Sequence, residues 1–159
     1  MVKNYFSYAE NEYKYFMKDY KDGRVADYMA AMGQSICERF LKHIIEQKFV
    51  PSTESELSEK QVILHTHSLN KLLKCIEKNT DVKFSSNEKS KINAINGYYF
   101  STRYPGDDSI DVDKSDLDFC VEAMQICRNK ANFPIKQSTQ NNQQVQTDTN
   151  ENNEIDIEL

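Results

Sequence analysis

Glycine is scarce, and the four present, at 23, 33, 97 and 106, form no Gly-rich phosphate loop. An ordinary nucleotide-metabolism enzyme built on such a loop is therefore set aside. There is no C-x-x-C pair and no cluster of cysteine with histidine. Cys37, Cys75, Cys120 and Cys127 lie far apart or, for the last two, one helical heptad apart. That spacing does not resemble a zinc site and reads as reduced thiols packed in a core. Long apolar runs are missing too: the longest fall far below the ~20 residues needed to cross a bilayer. The start, Met1-Val2-Lys3-Asn4-Tyr5, lacks the apolar core of a signal peptide, so the expected location is the cytoplasm. No stretch alternates apolar and polar residues as a strand would, and no internal repeat is visible.

What the chain does have is length for one domain with a real core, 159 residues, and a charged fraction of 28% against 38% hydrophobic. The net charge of −5 is unevenly placed. Residues 137–159 hold Asp148, Glu151, Glu154, Asp156 and Glu158 and no Lys or Arg, which leaves the first 136 residues with 20 basic and 20 acidic side chains. A neutral body neither demands nor excludes nucleic acid, because a local basic face is what displaces counterions from phosphates.

Helical periodicity is the dominant pattern. From Asn4 to Tyr20 the residues Tyr5, Tyr8, Ala9, Tyr13, Phe16, Met17 and Tyr20 recur at threes and fours, and Gly23 follows as a breaker. A second helix is predicted over Arg24 to Lys48, with Val25, Met29, Met32, Ile36, Phe40 and Ile44 inward and Glu38, Arg39, Lys42 and Glu46 toward its flank or solvent; Val50-Pro51 and a polar loop end it. A third, Lys60 to Asn79, carries Val62, His65, Leu69, Leu72, Leu73 and Ile76 on one stripe and Lys71, Lys74 and Lys78 on another, with His67 above them. A fourth, Asn87 to Thr102, leads into the turn Arg103-Tyr104-Pro105-Gly106, and a last helix runs from Ser115 to Ala131. The expected fold is all-α, an up-and-down bundle of about five helices over residues 1–134. Residues 135–159, rich in Gln, Asn, Thr and acidic side chains, are expected to be a disordered tail, lacking apolar surface to offset ordering entropy.

Ala30 to Gln34 with Glu38 and Leu41-Lys42, then Thr66-His67-Ser68-Leu69 with Leu72, then Tyr99 and Arg103-Tyr104-Pro105 together resemble the HEPN superfamily, over roughly residues 5–131. The resemblance implies a helical bundle that acts as a metal-independent ribonuclease, as a toxin paired with a minimal nucleotidyltransferase, or as a module that binds nucleotides or partners. Ribonuclease members of the superfamily usually carry an R-x4-6-H motif. This sequence departs from it: Arg39-x3-His43 is one residue short, and no histidine follows Arg103.

Several groups then compete as sites. Arg103 and Tyr104 stand at a helix end beside Pro-Gly, where a guanidinium can clamp a phosphate and a tyrosine can stack on a base; the alternative is that Arg103 caps the carbonyls of the fourth helix. His67 with Lys71, Lys74 and Lys78 would offer a phosphate-bearing ligand a cationic strip with one titratable group, or form a plain solvated face. His65, on the apolar stripe, reads as a hydrogen-bonded core histidine. Arg39 and His43 are helical neighbours that suit a phosphate clamp and proton carrier, although His43 lies near Ile36 and Phe40 and fits the core edge better. Asp111, Asp113, Ser115 and Glu122 match positions of a calcium loop, but Asp116 stands where glycine is needed; Ser115 capping the last helix accounts for the run more simply. The tyrosines of the first helix exceed one core stripe and suit a dimer or partner surface.

The expected function is RNA or nucleotide binding by a homodimer, with possible ribonuclease or toxin activity in a defence or toxin–antitoxin setting. Arg103 and His67 would be catalytic, with Tyr104, Lys71, Lys74 and Lys78 as ligand contacts, and neither metal nor cofactor. The alternative is a non-catalytic module that pairs with a nucleotidyltransferase or another partner protein, its acidic tail folding on a basic surface.

Overall fold

At Asn4 the chain enters its first helix through a reciprocal cap. The Asn4 carboxamide accepts from the Ser7 amide at 2.9 Å while the Ser7 hydroxyl accepts from the Asn4 amide. The computed structural model describes residues 3–135. It comprises α1 (Tyr5–Lys21), α2 (Asp27–Lys48), α3 (Glu54–Ile63), α4 (Leu69–Asn79), α5 (Ser86–Asn93), the single turn α6 (Tyr98–Ser101) and α7 (Lys114–Ala131). Among the described residues there is no strand, and the all-α bundle expected from periodicity is what forms. The predicted tail lies, apart from Ile135, outside the described residues.

The axis of the bundle is α2. Fourteen of its 22 residues are buried, too many for a one-faced surface helix, and it packs against α1, α7, α4 and α6. Gly33 lets α7 approach closely: a Cβ there would lie 2.7 Å from Cys120 Sγ and 2.8 Å from Cys120 Cβ. Phe16, Met29, Ile36, Phe40, Ile44, Leu69, Leu72, Ile76, Leu117 and Met124 make one continuous apolar core. The four cysteines are buried and free. Burial pushes the Cys120 thiol up to about 12, with Asp116 adding to the effect, and holds Cys37 well above the usual thiol range beside Cys127. All four are core thiols, and at Cys37 and Cys120 burial disfavours the thiolate. No helix among the described residues is long and apolar enough to cross a membrane.

Several boundaries differ from the periodicity reading. The predicted third helix is two. Thr53 caps α3 by accepting from Glu56 N, so the segment expected to be a loop is helical. Ser68 then caps α4 by accepting from Lys71 N. Between them the connector Leu64–Ser68 carries both histidines, and neither is on a helix. His65 is exposed rather than buried, and Val62 is 71% exposed. The predicted fourth helix divides at Gly97, whose φ of 106° lies in the left-handed region and separates α5 from α6. α2 starts at Asp27, leaving Val25 exposed. The cap of α7 is Asp113, which accepts from Asp116 N while Asp116 accepts from Asp113 N. Ser115 lies inside the helix.

Candidate functional site

Besides His43, the buried surface of α2 carries three polar side chains in one row where an apolar stripe would be expected. Gln34, Glu38 and Lys42 follow one another at i, i+4 and i+8, one above the next on the helix, and are 1%, 6% and 6% exposed. Each is satisfied, as burial requires. Gln34 Nε2 donates to the His67 carbonyl at 2.8 Å, and its Oε1 accepts from the amides of Gly97 at 3.1 Å and Tyr99 at 2.8 Å. One carboxamide thus ties the α3–α4 connector to α6. Asn96 adds a second tie, its Oδ1 accepting from Leu69 N at 3.0 Å.

Glu38 sits one turn further along. It accepts from Lys42 Nζ at 2.7 Å and lies 3.1 Å from His67 Nδ1. With the ring proton assigned to Nδ1, facing the carboxylate, Nε2 is the position left to accept a proton. The imidazole lies parallel to the Tyr99 ring, 8° apart with centroids at 4.7 Å, and the Arg103 guanidinium rests over the same ring at 4.2 Å. Phe100 meets both Tyr99 and His67 edge-on, and Tyr104 stacks on Phe100 at 6.2 Å. A stacked array therefore runs out from the buried Glu38–Lys42 pair to the surface, with a cation and an imidazole on one tyrosine.

The structure brings together most of the residues singled out from sequence. Arg103 and His67, 36 positions apart, share Tyr99, and the guanidinium stacks on that ring instead of capping a helix end. Tyr104 joins through Phe100. Lys71 lines the same cavity as His67, about 340 Å³, with Gln34, Thr66, Ser68 and Phe100. Lys74 is exposed on α4 with no ion pair among the described residues, whereas Lys78 pairs with Glu59 at 3.2 Å, about 10 Å along the helix from Lys71.

The rival sites do not assemble. Arg39 pairs with Glu12 and lies over Tyr8. His43 is buried, stacked on Phe133 at 5.4 Å and packed by Phe6, its Nδ1 without a partner; burial lowers its pKa. It belongs to the core edge. Among the described residues no three His, Cys, Asp or Glu side chains gather as metal ligands, and within the Asp107–Asp118 run Asp113 and Asp116 cap α7. A larger cavity between α1 and α7, about 730 Å³, has its arginine, Arg128, already held in a two-point ion pair by Glu10.

The HEPN domain model matches residues 2–132. The chain belongs to the HEPN family. No curated protein and no solved structure matches it. The family assignment supports a nucleotide- or RNA-related module in general terms.

Glu38 and Lys42 were read as flank or solvent residues and are buried site residues. The missed signal was polar residues at i, i+4 and i+8 on the helix with the broadest apolar surface.

Proposed function

We propose that this HEPN domain binds RNA at the His67–Tyr99–Arg103 array and cleaves it without a metal. The observation that supports the reading is the Tyr99 ring, against which an imidazole and a guanidinium both stack, with Glu38 behind the imidazole. In this reaction the ribose 2′-oxygen attacks the adjacent phosphorus and gives its proton to His67 Nε2. The bond to the 5′-oxygen breaks, and that oxygen leaves with a proton from solvent. The products are a 2′,3′-cyclic phosphate and a 5′-hydroxyl. Arg103 offsets charge on the phosphorane. Glu38 fixes the tautomer and stabilises the imidazolium, in the manner of a carboxylate behind a catalytic histidine. Lys71 contributes a point charge at the phosphate.

The test is incubation of the pure chain with a labelled mixed RNA pool in excess chelator, beside Arg103→Ala and His67→Ala. Cleavage by the wild type and its loss in both variants is expected. Unchanged RNA cleavage and nucleotide affinity in both variants would overturn the reading.

The second reading is a homodimeric or partner-docking module, paired with a nucleotidyltransferase as in toxin–antitoxin systems. It draws on Tyr8, Tyr15 and Tyr28, each about half exposed around α1 and the start of α2. An inert wild type that sediments as a dimer, or co-purifies with such a protein through these tyrosines, would favour it.

A further inference from the structure

Beyond the phosphate-binding end of the array the cleft continues, and its chemistry reverses. The cavity at His67 and Lys71 shares Asn96, Gly97 and Phe100 with a second one, about 540 Å³, on the far side of Phe100. That second cavity is lined by Phe100, Tyr104, Asp107, Asp108 and Ser109. Phe100 and Tyr104 are 53% and 61% exposed, and their rings lie within 25° of parallel, so they present aromatic surface suited to a base. Neither Asp107 nor Asp108 has an ion-pair or side-chain hydrogen-bond partner among the described residues, and Asp111 lies close in sequence.

A nucleotide has only one orientation that suits this distribution of charge. Its phosphate belongs at His67 and Lys71, because phosphates at the aspartates would meet like charge. Its base then lies against Phe100 and Tyr104 with its edge toward the carboxylates. An ionised carboxylate accepts hydrogen bonds only. It suits a base edge that donates, and above all guanine, whose N1–H and 2-amino group are adjacent donors matching two carboxylate oxygens. Uracil presents one N–H flanked by two carbonyl oxygens, which the carboxylates repel.

We propose that the Phe100–Tyr104–Asp107–Asp108 cavity is a base-specificity pocket that selects guanine over uracil beside the bound phosphate. The inference rests on the phosphodiester reading above and adds base choice to it.

The test measures binding of the full chain to 2′-O-methyl pentanucleotides, which cannot undergo 2′-oxygen attack, carrying a single guanosine, inosine or uridine between flanking uridines. Hydrogen bonds to a charged acceptor predict guanosine over uridine by about tenfold or more, with inosine, which lacks the 2-amino group, between them. In Asp107→Ala/Asp108→Ala, whose side chains hold nothing else in the fold, the guanosine-to-uridine ratio falls to within about twofold of one. Equal affinities in the wild type, or a guanosine preference that survives the double substitution, overturn the specificity claim. The control is His67→Ala. If it weakens all three ligands alike, the phosphate site stands whatever the base result. If it changes nothing, or if no oligonucleotide binds, the phosphodiester reading falls and this inference with it.

Discussion

Gln34→Leu is the substitution that most cleanly separates the scaffold of the site from its chemistry. Leucine fills similar space on α2 but removes three hydrogen bonds: the one donated to the His67 carbonyl and the two accepted from Gly97 and Tyr99. Each backbone group left unpaired costs about 1–3 kcal/mol when buried. These three are partly buried, so the lower end applies and the expected loss is ~3 kcal/mol. For a domain of this size that is a fall in Tm of about 6–12 °C. Urea unfolding gives the energy. Amide exchange gives the location, with Gly97 and Tyr99 accelerated ahead of the α1 and α7 cores. A loss below about 1 kcal/mol in Gln34→Leu, with Gly97 and Tyr99 as protected as before, would refute the claim that this carboxamide holds the connector against α6.

Three further outcomes follow from the packing. Glu38→Ala leaves the Lys42 ammonium buried without its partner and destabilises by about 3–5 kcal/mol, whereas adding Lys42→Met recovers much of the loss; unfolding midpoints of the single and double variants check this. Gly33→Ala drives a methyl against both Cβ and Sγ of Cys120 and costs about 1–3 kcal/mol, relieved when Cys120→Gly, which removes both atoms, is added; an additive double variant would contradict the α2–α7 close approach. Burial lowers the pKa of His43 in the fold, so the unfolded chain takes up the proton more readily. The neutral form's stability is complete above the unfolded value of about 6.5 and declines as pH falls through it toward the folded value. His43→Phe removes this acid sensitivity, seen as a smaller gap between unfolding midpoints at pH 7.5 and 5.5.

Helix existence was legible in the sequence because the apolar residues of α1, α2, α4 and α7 recur at helical spacing and nothing alternates. The boundaries were not, because they depend on single capping hydrogen bonds. Thr53 and Ser68 divide one apparent apolar stripe into α3 and α4, and periodicity continues across the break as though the chain had not turned. That error put His65 in the core and His67 on a helix. The site was half legible. Arg103, His67, Tyr104 and Lys71 carry side chains whose chemistry announces itself. The residues that join them do so through contacts 29 to 65 positions apart: Gln34 to Gly97 and Tyr99, and Glu38 to His67. No local pattern encodes such a pairing. The one usable clue was that polar residues spaced by four on a helix buried nearly all round must have partners.

The central claim is that His67, held between Glu38 and Tyr99, takes the proton of a ribose 2′-hydroxyl while Arg103 steadies the phosphate. End-group analysis of RNA incubated with the wild-type chain and with His67→Ala in excess chelator tests it most directly. The account predicts 2′,3′-cyclic phosphate and 5′-hydroxyl ends from the wild type and none from the variant. Ends bearing 3′-hydroxyl and 5′-phosphate, or cyclic-phosphate ends that persist in His67→Ala, would contradict it.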